Sequence, residues 1–78
     1  MAIPRSYPFR ELKRKLLAYR IQWLPRRGKG SHGAFVGPDK RGNKQSYTLP
    51  QRQQREVRKW YLRDICRRFL LDPDDLFG

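Results

Sequence analysis

The stretch AFVGPDKRGNKQSYTLP, residues 34–50, decides the fold. Ala34 to Val36 is a short apolar run, and Ser46 to Leu49 is rich in strand formers. Pro50 closes the second run, because proline has no N–H to give to a sheet ladder. Between the two lies GPDKRGNK, residues 37–44, dense in the residues that build turns. Two strands around one turn make a hairpin. Upstream, Ile21, Trp23 and Pro25 predict a further short strand that ends at the proline, which brings the sheet to three strands.

Helices are expected before and after that sheet in the chain. Phe9, Leu12, Leu16 and Tyr19 recur at helical spacing, while Arg10, Lys13, Arg14 and Lys15 fall largely outside the stripe. Ser6 is a cap candidate, Pro8 suits a first turn, and Glu11 suits the positive end of the helix dipole. The first helix is expected from about Pro8 to Tyr19. At the other end, Val57, Tyr61, Ile65 and Phe69 repeat every four residues, with Trp60 and Leu62 beside them. Arg55, Arg58, Lys59, Arg63, Arg67 and Arg68 cover the rest of that helix and read first as a solvated face. Pro73 stops or restarts it, and Leu76 and Phe77 can fold back onto the core. Trp23, Trp60 and Cys66 read as core or boundary residues. The order helix, strand, strand, strand, helix is a two-layer α+β arrangement, in which two amphipathic helices cover one face of a three-stranded antiparallel sheet. A length of 78 residues makes residues 1–78 a single domain.

Composition narrows the function. Nineteen Lys and Arg stand against seven Asp and Glu, a net charge of +12, and the cations run from Arg5 to Arg68 rather than forming a tail. Such a field favours polyanions: nucleic acid, an anionic membrane surface or an acidic protein. Cys66 is the only cysteine, so an internal disulfide and a thiolate metal cluster are both excluded. The start MAIPRSYPF has no apolar core of signal-peptide length, and no apolar run approaches the ~18 residues of a membrane span. The expectation is a cytoplasmic protein with no membrane partner.

Catalysis has one candidate. His32 is the only histidine, and it lies in the glycine-rich stretch RGKGSHG, residues 27–33. Histidine is the side chain that ordinarily titrates near neutrality. One His and one Cys are too few for a zinc site, and the adjacent Asp74 and Asp75 make a poor acid–base pair. No metal or cofactor is therefore expected. A lone imidazole amid cations suits cleavage of RNA, whose ribose 2′-OH is a built-in nucleophile. His32 would take its proton. Arg26, Arg27, Lys29, Gly30 and Ser31 are the candidate RNA-binding residues: cations for phosphates, and glycine backbone for close approach. The proton donor to the leaving oxygen is left among Lys29, Tyr47 and water.

The order of these features resembles the HicA-type mRNA interferase toxins of toxin–antitoxin systems. The resemblance rests on Gly30-Ser31-His32 directly before a strand, on Leu49-Pro50 closing a strand before the last helix, and on Leu62 and Ile65 in that helix followed by LDPDDLF. It covers the chain from about Arg10 onward. In that family the first helix usually ends with glycine, and AYRIQW has none. The likeness implies a double-stranded-RNA-binding-like fold, ribosome-independent endoribonuclease activity carried by His32, and a HicB-like antitoxin partner that covers the basic surface. Two other classes fit the charge: a non-catalytic RNA-binding module, which would bind RNA without cutting it, and a DNA-binding protein, for which no helix-turn-helix spacing is present.

Overall fold

A computed structural model describes residues 3–26 and 32–78. The hairpin expected from residues 34–50 forms strands β3, Gly33–Pro38, and β4, Lys44–Leu49. With β2, Gln22–Leu24, they make an antiparallel sheet in the order β2-β3-β4. The register puts Trp23, Phe35 and Tyr47 side by side, and Gln22, Val36 and Ser46 in the next row. Alternation along a strand sends these two rows to opposite faces.

One face is covered. Helix α1, Phe9–Leu17, buries Phe9, Leu12 and Leu16, and helix α2, Lys59–Phe69, buries Leu62, Ile65, Cys66 and Phe69. These side chains join Phe35 and Leu49 in a single core, with Trp23 and Tyr47 packed against it. Both helices therefore lie on the same side of the sheet. The Arg68 guanidinium donates to the Ser46 carbonyl at 3.0 Å, and the Lys40 amide donates to the Phe69 carbonyl at 3.1 Å, so α2 is tied to the hairpin at its C-terminal end.

The hairpin turn is organised by Asp39. One carboxylate oxygen accepts from the amides of Arg41 and Asn43, and the other accepts from the Gln45 side chain. Gly42 takes φ 88°, a conformation that glycine adopts without steric cost. The far end of the chain behaves as expected. Asp72 caps a short helix α3, Pro73–Phe77, by accepting from the Asp74 amide, and Pro73 opens it. Leu76 enters the core, Phe77 meets Tyr7 edge-on at 5.0 Å, and Lys15 donates to the Leu76 carbonyl.

Four expectations need correction. Ser6 does not cap α1: it lies in a further strand β1, Ser6–Pro8, paired antiparallel with β5, Glu56–Arg58, and Pro8 occupies the cap position. This ribbon is a second sheet that the pattern did not reveal. Val57 belongs to β5, not to the last helix, and reaches the core because the strand runs straight into α2. Trp60 is not core: it is 67% exposed. Successive helical residues turn by ~100°, so Trp60 sits about 200° from Leu62, on the side away from the core stripe. Helix α1 is also shorter than expected, since Ala18 is its C-cap and Arg20 follows at φ 66°. Among the described residues, no helix is long and apolar enough to cross a membrane.

Candidate nucleic-acid interface

His32 is the residue directly before β3, and the next residue, Gly33, pairs with Leu49 at the end of β4. The histidine is half-buried. Its position is fixed through Gly33. A β-carbon on Gly33 would run into the indole ring of Trp23, so only glycine lets that ring lie against the strand. The indole is itself held edge-on between Phe9 and Phe35, at centroid distances of 4.9 and 4.8 Å. The head of the central strand is thus clamped by an aromatic cluster that belongs to the core. A rigid element of this kind is what a single catalytic side chain requires.

Arg26 is exposed in the turn after β2, at φ 63°. Arg27, Lys29, Gly30 and Ser31 lie outside the described residues. Tyr47, one candidate proton donor, is brought to the helix side of the sheet, where its hydroxyl donates to Asp64 at 3.2 Å. Burial, then the Asp64 charge and its hydrogen bond, push the Tyr47 hydroxyl well above the ordinary tyrosine value. In the strand alternation Tyr47 shares the helix-side face of Phe35, and His32 lies just outside the ladder, directly before Gly33.

The side of the sheet away from the helices carries Gln22 and Leu24 from β2, Ala34, Val36 and Pro38 from β3, and Lys44, Ser46 and Thr48 from β4. A groove of about 430 Å³ crosses one end of it, lined by Leu24, Val36 and Pro38 with Arg20 and Lys44 among its walls. The sequence reading missed both cations. The signal was present in β4, where Lys44, Ser46 and Thr48 alternate with Gln45, Tyr47 and Leu49. Arg20 gave none, since it lies in a helix-to-strand turn. A second, more polar cleft of about 340 Å³ is lined by Tyr47, Asp64, Arg67 and Arg68 on the helix side. Trp60 stacks with the Arg63 guanidinium at 4.5 Å on the outer face of α2.

Among the described residues, no group of three or more His, Cys, Asp or Glu side chains is placed to hold a metal ion. No family model, no curated protein and no solved structure matches this chain.

Proposed function

We propose that this chain is an endoribonuclease of the HicA type, the toxin of a toxin–antitoxin pair, with a double-stranded-RNA-binding-like fold. The observation that carries the reading is the placing of the sole histidine, half-buried, at the head of the central strand, beside a glycine pinned under Trp23. The chain carries a net charge of +12, which suits a polyanionic substrate.

In this reading His32 accepts the proton of a ribose 2′-OH. The oxygen attacks the adjacent phosphorus, the bond to the 5′-oxygen breaks, and that oxygen takes a proton as it leaves. Cations and backbone N–H groups of residues 26–31 stabilise the charge that develops on the phosphate. The raised Tyr47 hydroxyl, engaged with Asp64, is a poor proton donor, so the leaving oxygen is served by Lys29 or water. The products are a 2′,3′-cyclic phosphate and a 5′-hydroxyl. A HicB-like antitoxin with an acidic surface would neutralise part of the charge and exclude RNA in one step.

The test is a labelled RNA, incubated with the protein in EDTA, beside the same RNA carrying 2′-deoxyribose at the cleavage site. The all-ribose strand is cut to cyclic-phosphate ends and the deoxy site is not. Cutting at the deoxy site, or a strict need for magnesium, contradicts the mechanism.

A further inference from the structure

We propose that the open face of the β2-β3-β4 sheet is a track for the phosphate backbone of single-stranded RNA, with Arg20 and Lys44 gripping phosphates at the end remote from His32. This rests on the endoribonuclease reading and assigns the path its substrate takes.

The charge distribution carries the argument. The chain has seven carboxylates: Glu11, Asp39, Glu56, Asp64, Asp72, Asp74 and Asp75. Glu11 and Asp64 are on the two long helices, Glu56 is in the second sheet, and Asp72, Asp74 and Asp75 are in or beside α3. Asp39 is nearest the groove, but it is buried and both of its oxygens are occupied by the Arg41 and Asn43 amides and by Gln45. Among the described residues, the side chains of the open face itself thus include the cations Arg20 and Lys44 and no carboxylate, with the ionised Asp39 held within the hairpin turn at its end. A surface of that kind is complementary to a polyanion.

The rest of the face fits RNA. Gln22, Ser46 and Thr48 both donate and accept hydrogen bonds, as contacts to phosphate and 2′-OH require. Leu24 and Pro38, half-buried, flank the buried Val36 and offer apolar surface against which unstacked sugars and base edges can lie, which only a single strand offers. The sheet aromatics, Trp23, Phe35 and Tyr47, are all on the other face. The track thus has no stacking platform, so it holds the backbone with little base preference. His32 lies directly before β3, at the end of the face opposite Arg20 and Lys44. Strand β3, Gly33–Pro38, gives five residue steps at ~3.3 Å, roughly 16 Å for a bound segment to follow.

The end of α1 places Arg20. It occupies the left-handed position that ends α1, at φ 66°, the place where glycine fits without strain. The Ile21 amide, just beyond it, closes the motif by donating to the Leu16 carbonyl. Leu70 ends α2 in the same way, at φ 57° with the Leu71 amide donating to the Cys66 carbonyl, so the motif sets where the Arg20 side chain emerges, at the wall of the groove.

The experiment measures binding of a short fluorescein-labelled 2′-O-methyl RNA, which cannot be cleaved, across a range of salt. Arg20→Gln with Lys44→Gln should reduce the slope of log affinity against log salt by about 1.4, two phosphates at ~0.7 each. Arg10→Gln with Lys13→Gln, the same change of charge on the helix side, should leave the slope unchanged. Arg20→Gly should weaken RNA binding while raising Tm, a combination that misfolding cannot produce. Equal effects of the two double variants, or competition by polyglutamate as strong as by RNA of equal charge, overturn the track. If the wild-type protein binds RNA in this way but does not cut it, the track stands and the nuclease reading fails. If it cuts RNA and the Arg20 and Lys44 variants retain the wild-type slope and KM, the reverse holds.

Discussion

At the scale of single residues, the candidate site depends on a contact with no polar chemistry in it. Gly33 lets the Trp23 indole lie against the strand, and that contact fixes the backbone next to His32. Gly33→Ala should drive a methyl group into the ring, at a cost of about 1–3 kcal/mol. Denaturant unfolding should show that loss, and cleavage should fall further than stability alone explains. A stable Gly33→Ala protein with full activity would remove the clamp from the account. Cys66 is the opposite case, a reactive group made inert. Burial, and then the nearby Asp72 charge, push its thiol up to about 11. Native protein at pH 8 should therefore react slowly with iodoacetamide, and denatured protein quickly. Rapid alkylation of the native chain would show that the α2 core opens easily.

At the scale of elements, the most exposed dependence on pH is in the β3–β4 turn. Burial alone would raise the Asp39 carboxyl, but the hydrogen bonds from Gln45, Asn43 and Arg41, with the Arg41 charge, hold it below the ordinary aspartate value. Its contribution is complete above the unfolded value of ~3.9 and is lost as pH falls through the lower, folded one. Asp39→Asn should lower Tm at pH 7, and the gap from wild type should narrow below about pH 4. A gap independent of pH would assign the turn's stability to shape rather than to charge. The end of α1 runs the other way: Arg20→Gly should stabilise the fold by roughly 0.5–1 kcal/mol, the relief of left-handed strain less the entropy glycine carries into the unfolded chain. The hairpin and α2 were legible in the sequence because each is long enough to show a period. The β1–β5 ribbon was not, because three residues such as SYP or EVR cannot display alternation. Val57 fitted the four-residue repeat of Tyr61, Ile65 and Phe69 by coincidence of burial, and Trp60 was grouped with the core by its size rather than by its angle on the helix. His32 could be singled out from its type and neighbours, whereas Arg20 and Lys44 needed the register of three strands to be seen together.

At the scale of the whole molecule, the fold separates two kinds of surface. The helix side combines cations with Glu11, Asp64 and the α3 acids, whereas the open sheet face, among the described residues, carries the cations Arg20 and Lys44 and no carboxylate. The net charge of +12 should make RNA affinity fall steeply with salt, by about 0.7 in log–log slope per phosphate neutralised. A flat salt response would show that phosphates are not the main source of affinity. The central claim is that His32 cuts RNA. It is tested most directly by incubating end-labelled RNA in EDTA with the wild-type protein and with His32→Ala, after confirming that both have the same Tm and the same affinity for 2′-O-methyl RNA. The wild type should produce fragments, and the variant should be slower by a factor on the order of 10²–10⁴, the usual contribution of a general base. Equal rates would put the chemistry on another residue, and no cutting by either protein while both bind RNA would leave a binding module; each result contradicts the account.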